Sequence, residues 1–201
     1  MNIAQLFDNI RGNGRNATVD DIRNVFGDYH NALRWLAVFL IGDEKIADTC
    51  VVDACNIAQT RGPIFHEWLV HWAARATVRC AFQTQYAQIA ELAPTYEKTD
   101  PVVEKRSPLS VEYFQLLVKN TEFIRAQLDV LCRFVFVYRG IANDPCDAVA
   151  AELGISPNAV ERAYSAAFDA IEFVRRGILA ERTIQPDSHI FHESTLAASI
   201  D

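Results

Sequence analysis

The sequence predicts an all-α chain of two helical domains joined by a proline-rich charged linker, the second ending in a helix-turn-helix. Three observations predict it. Apolar residues recur at steps of three and four along nearly the whole chain, the period of a helix with one buried face. Residues 94–109 interleave Pro94, Pro101 and Pro108 with Glu97, Lys98, Asp100, Glu104, Lys105 and Arg106, a pattern expected in neither a helix nor a strand. Residues 147–164 read as a short helix, a tight turn and a second helix. The expected divisions are a first domain over 1–93, the linker over 94–109, a second domain over 110–182 and a tail over 183–201.

The elements follow in order. Thr18 and Asp21 fit a capping box, in which the threonine hydroxyl accepts from the amide three residues on and the acid reaches back. Val19, Ile22, Phe26, Tyr29, Leu33, Leu36, Ala37 and Leu40 then keep helical spacing until Gly42. A second helix is expected from about 43 to 60, with Ile46, Cys50, Val51, Ala54, Ile57 and Ala58 on its apolar face. Arg61-Gly62-Pro63 breaks it. A third helix starts near Pro63 and continues to Ala93, carrying Phe65, Trp68, Leu69, Trp72, Ala76, Val78, Phe82, Tyr86, Ile89 and Leu92; Trp68 is expected in the core and Trp72 is left open. Beyond the linker, Ser110 caps a helix bearing Val111, Phe114, Leu117 and Val118. A break is expected near Asn120-Thr121, followed by a helix over 123–138 with Leu128, Leu131, Val135 and Tyr138 on one face.

In the last pair of helices, Asp144 is the expected cap and Pro145 the first helical residue, where a missing N–H costs nothing. Val149, Ala150 and Leu153 form an apolar face, and Gly154 stops the helix because glycine enters the left-handed conformation cheaply. Ser156-Pro157 starts the next helix by the same logic. Val160, Ala163, Tyr164, Ala167, Ile171 and Val174 form its inner stripe, while Asn158, Glu161, Arg162, Ser165, Ala166, Phe168, Asp169 and Glu172 are expected to face outward. A helix-turn-helix usually lays its second helix in the DNA major groove. The outward set, however, holds one cation and three anions, whereas a helix that meets phosphates needs Lys or Arg.

Composition sets further bounds. The 201 residues suffice for one large or two small domains, and half of them are apolar. The net charge is −7 and the pI about 5.2, so DNA binding requires a local basic patch; the nearest basic pair is Arg175-Arg176. Five cysteines, with no CxxC, read as reduced core residues of a cytoplasmic protein. No basic segment followed by an apolar run heads the chain, so no signal peptide is expected, and no apolar run is long enough for a membrane span. No cofactor is expected. An enzyme is not expected either: GxSxG, P-loop and HExxH patterns are missing, His66 and His71 fall on different helix faces, and His189 with His192 lacks further metal ligands.

The order of helices, charged linker and terminal helix-turn-helix over residues 15–180 resembles the extracytoplasmic-function sigma factors of bacterial RNA polymerase. Leu131-Cys132, Arg133-Phe134-Val135-Phe136, Ala148-Val149-Ala150-Ala151-Glu152-Leu153-Gly154-Ile155-Ser156 and Pro157-Asn158-Ala159-Val160 stand where that family tends to read Leu-Pro, Arg-x-Val-Phe, x-Ile-Ala-x-x-Leu-Gly-Ile-Ser and x-Gly-Thr-Val. Phe65-His66-Glu67-Trp68-Leu69 resembles the family's Phe-x-x-Trp-Leu, and Gly42-Asp43 with Ala47-Asp48 resembles its acidic clamp-binding helix. The polar contacts are thinner than in the family: Glu161-Arg162-Ala163 and Ala166-Ala167-Phe168 stand where cations are usual, and Thr49-Cys50-Val51-Val52-Asp53 keeps one acid of an Asp-Leu-Val-Gln-Glu core.

The resemblance implies a transcription initiation factor with core RNA polymerase and promoter DNA as partners. Asp43, Glu44, Asp48 and Asp53 would bind polymerase. Arg75 and Arg79 would contact the DNA backbone and Trp72 would stack on an unpaired base, while Asn158, Arg162 and Ser165 would touch DNA from the recognition helix. The competing expectation is a protein-interaction module on the same scaffold, binding polymerase, an anti-sigma factor or a second copy without reading promoter DNA. The negative charge, Glu161 and an outward Phe168 favour it.

Overall fold

The computed structural model describes Leu6 and residues 14–60, 62–97 and 111–184, with side chains of the last stretch described from 115 to 177. The linker from 98 to 109, the Ser110 cap and the tail beyond 184 lie outside the described residues. Among the described residues nine α-helices follow one another: α1 Val19–Asp28, α2 His30–Ile41, α3 Glu44–Thr60, α4 Leu69–Glu97, α5 Val111–Lys119, α6 Thr121–Gln127, α7 Val130–Val135, α8 Cys146–Leu153 and α9 Pro157–Ile184. A 3-10 turn, His66–Trp68, precedes α4, and a π-helical turn, Phe136–Ile141, continues α7. The only extended pairing among the described residues is an isolated bridge between Asn16 and Phe65. The described residues adopt the expected all-α class.

Helix boundaries follow local chemistry. Thr18 Oγ1 accepts from the Asp21 amide at 3.1 Å, and the Asp21 carboxylate accepts from the Thr18 amide at 2.9 Å, completing the capping box. Gly42 ends α2 at φ +88° and Gly154 ends α8 at φ +68°, both in the left-handed region where a Cβ is strained. Ser156 Oγ accepts from the Ala159 amide at 3.1 Å and α9 opens on Pro157. The inner stripe of α9, Val160, Ala163, Tyr164, Ala167, Ile171 and Val174, is buried throughout. All five cysteines are free thiols.

Several boundaries fall elsewhere than the periodicity suggests. The helix expected from 19 to 41 breaks at Tyr29, whose backbone (φ −100°, ψ 8°) leaves the helical region. The helix expected over 123–138 breaks at Leu128, an extended residue that lets Asp129 cap α7 by accepting from the Cys132 amide at 2.8 Å. Pro94, assigned to the linker, sits inside α4. It lies in the last turn, where little helix remains to be disturbed, and tertiary bonds secure that turn: the Tyr96 hydroxyl donates to Asp129 at 2.5 Å and the Tyr96 carbonyl accepts from Arg162 at 3.1 Å. Trp68 is 59% exposed, not core, because it precedes α4 and its neighbour Leu69 takes the buried position. Asp144 does not cap α8; Pro145 holds that position and the Asp144 carboxylate pairs with Arg75.

The helices on either side of residues 98–110 share one hydrophobic cluster. Phe82 of α4 meets Phe134 of α7 edge-on at 5.9 Å, and Phe39 of α2 meets Phe136 at 6.3 Å. Polar groups cross the same seam. Arg133, 8% exposed, donates to the Phe39 carbonyl at 3.2 Å, and the Trp35 indole donates to Thr121 Oγ1 at 2.6 Å. Burial, the chief cause, lowers the Arg133 guanidinium pKa to about 10.

Candidate nucleic-acid and polymerase surfaces

Trp72, Arg75 and Arg79 recur at steps of three and four, so α4 carries them on one face. That face borders a cavity of about 260 Å³. Ile57 of α3, Cys80 and Gln83 of α4, Tyr138 of the π turn and Glu152 of α8 line it as well, so the cavity lies on the seam. Arg75 is held on two sides: its Nε donates to His71 Nε2 at 2.9 Å and its Nη2 to the Asp144 carboxylate. Arg79 is exposed and has neither ion pair nor hydrogen bond among the described residues. Burial raises the Tyr138 phenol well above its usual value and pushes the Cys80 thiol up to about 11, so both are neutral at pH 7. The cavity thus offers two cations, one anion and two aromatic rings, suited to a planar group bearing negative charge.

The remaining predicted DNA contacts are not part of this cavity. Asn158 and Ser165 are half-buried on α9. Arg162, expected to face outward, is only 7% exposed: the end of α4 lies over it, and its Nη1 donates to the Tyr96 carbonyl. Phe168 is half-buried and not the exposed ring expected; Phe173, 72% exposed, is the bare aromatic of this helix. Glu161 is paired with Arg139 at 3.1 Å, and Glu172 with Arg175 at 3.0 Å and Arg176 at 3.8 Å. The basic pair therefore carries its own neutralising acid.

The acidic set lies on and before α3. Asp43 caps the helix, its Oδ1 accepting from the Ile46 amide at 3.0 Å. Arg34 of α2 binds Glu44 at 2.7 Å and Asp48 at 2.6 Å, which partly cancels their charge. Asp53 is exposed, and Ile46, Val52 and Ile57 are bare apolar residues on the same helix, 41%, 57% and 37% exposed. Exposed acid next to exposed aliphatic surface is the composition of a protein-binding face.

Comparison with known protein families, curated proteins and solved structures gives no match. Among the described residues, no group of three or more His, Cys, Asp or Glu is arranged to hold a metal ion, and no helix is long and apolar enough to cross a membrane. The sequence marks Asp144 only as a helix cap and Tyr138 only as part of an apolar face, and gives no sign of a site role for these two, Glu152 or Glu97. Glu97 sat in a stretch read as linker because of Pro94, yet its carboxylate accepts from the Ser156 amide at 3.1 Å and from the Ser156 hydroxyl at 2.6 Å.

Proposed function

We propose that this chain is a sigma-factor-like transcription protein of two helical lobes that docks on core RNA polymerase and engages promoter DNA, here in a closed arrangement. The chief support is the grouping of Trp72, Arg75 and Arg79 around one cavity. An aromatic ring on the same helix face as two arginines suits an unpaired base and its phosphates, since stacking needs an exposed ring face and backbone binding needs cations. The α8–turn–α9 unit would read duplex DNA once the lobes part, with Asn158, Arg162 and Ser165 at its surface. The α3 face, with Asp53 beside Val52 and Ile46, would meet polymerase.

A specific observation favours the second reading, a sigma-like interaction module that binds polymerase, an anti-sigma factor or a second copy without promoter recognition. Arg162 is buried, and Arg15, Arg34, Arg75, Arg125, Arg139 and Arg175 are each ion-paired, so among the described residues most of the arginine charge is already engaged, Arg79 being an exception. The two readings separate in a paired experiment: pull-down of core polymerase by purified protein, and anisotropy of labelled promoter duplex at low and high salt. The first reading expects both partners to bind, DNA with a steep salt dependence. Polymerase binding without DNA binding selects the module. Binding of neither overturns both.

A further inference from the structure

Among the described residues, Arg162 is a buried guanidinium with no carboxylate in ion-pair range, and its Nε and Nη2 have no hydrogen-bond partner. A buried cation left in that state is costly, and an anion is what would satisfy it. Arg162 lies one turn inside α9, a helix of 28 residues whose first amides carry the positive end of the helix dipole. Beside it, the Glu97 carboxylate takes the two donors that Ser156 offers, amide and hydroxyl. Its carboxyl is held below the usual carboxylate range, first by the Ser156 hydroxyl, then by the Ser156 amide, with the Arg162 charge adding to both. A cavity of about 360 Å³ adjoins Glu97, walled by Tyr86, Pro94, Leu153 and Ile155, and leaves room for whatever carries an incoming anion.

We propose that Ser156, the first turn of α9 and Arg162 form a phosphate seat, and that the carboxylate of Glu97 fills it as an internal stand-in. A phosphate offers the same oxygen acceptors as the carboxylate and more charge, so it completes the partners Arg162 lacks. Glu97 is the last residue of α4 and Tyr96 covers Arg162, so withdrawal of that one helical turn opens seat and guanidinium together. The source of the phosphate is either the DNA backbone or a free phosphate. The DNA source rests on the sigma-like reading above; the seat itself does not.

The test uses the full chain and two probes. Inorganic phosphate is titrated against wild type, Glu97→Ala, Glu97→Ala with Arg162→Met, and Glu97→Ala with Ser156→Ala, following the amide resonances of residues 156 and 159. The seat predicts a saturable shift in Glu97→Ala, at least about tenfold weaker in wild type and in each double variant. Should the Arg162→Met variant not fold, the Ser156→Ala pair decides. No saturable shift in Glu97→Ala, or the same affinity in the double variants, overturns the seat. In the second arm, duplex DNA is titrated at several salt concentrations. A backbone source predicts that Glu97→Ala binds more tightly than wild type and steepens the log–log salt slope by about one, the value for one added phosphate contact. Phosphate binding with no gain in DNA binding upholds the seat, assigns it to free phosphate and counts against the promoter reading.

Discussion

At the residue scale, Phe39 shows how closely the fold is tied together. It is fully buried, stacks on Trp35 at 5.3 Å and reaches Phe136 across the seam. Truncation leaves a void lined from both halves, so Phe39→Ala is expected to lose about 3–5 kcal/mol, measured by urea unfolding. Gly42 is constrained twice: its φ of +88° strains any L side chain, and an added Cβ would collide with the Arg125 guanidinium. Gly42→Ala is expected to lower stability by at least about 1 kcal/mol and to displace Arg125. Glu97 has a signed pH dependence. Its folded-state pKa is depressed, so the Ser156 contact is fully present above the ordinary carboxylate range and is lost as pH falls through the depressed value. The Ser156 amide resonance should therefore move with an acid midpoint below that of a free glutamate, and Glu97→Gln should abolish this transition.

At the element scale, what could be read from sequence was whatever neighbouring residues decide. The Thr18–Asp21 box, the Gly154 stop and the Ser156-Pro157 start each depend on atoms within four residues, and each stands where its residues place it. Ser156→Ala removes the hydroxyl that caps α9 and the hydroxyl contact to Glu97, leaving the amide contact, so it is expected to cost about 1 kcal/mol, read from chemical denaturation. Elements that depend on distant partners were not legible. Pro94 reads as a helix breaker, but Asp129 and Arg162 hold its turn through Tyr96. Asp144 reads as a cap, but an arginine sixty-nine positions away claims it. Arg162 falls on the outward side of an isolated α9, and only the end of α4 makes that side inward.

At the scale of the whole molecule, periodicity tells which face of a helix is buried but not against what. Hence the apolar stripes of α2, α4, α7 and α9 were legible, while their union into one cluster across the seam was not. Likewise, Trp72, Arg75 and Arg79 could be picked out one by one as candidate contacts, but Tyr138 and Glu152 join them only through the tertiary fold. Because the halves share a core, thermal unfolding is expected as one cooperative transition with coincident near- and far-UV dichroism curves; two separated transitions would mean that the halves melt independently. Docking on core polymerase through the α3 face is the proposal most open to direct test. The most direct measurement is a titration of core RNA polymerase with labelled protein, wild type against Asp53→Lys. Docking through α3 predicts saturable one-to-one binding that the substitution weakens by about tenfold or more, since a rim acid becomes a cation. Absence of saturable binding by the folded wild type would contradict it.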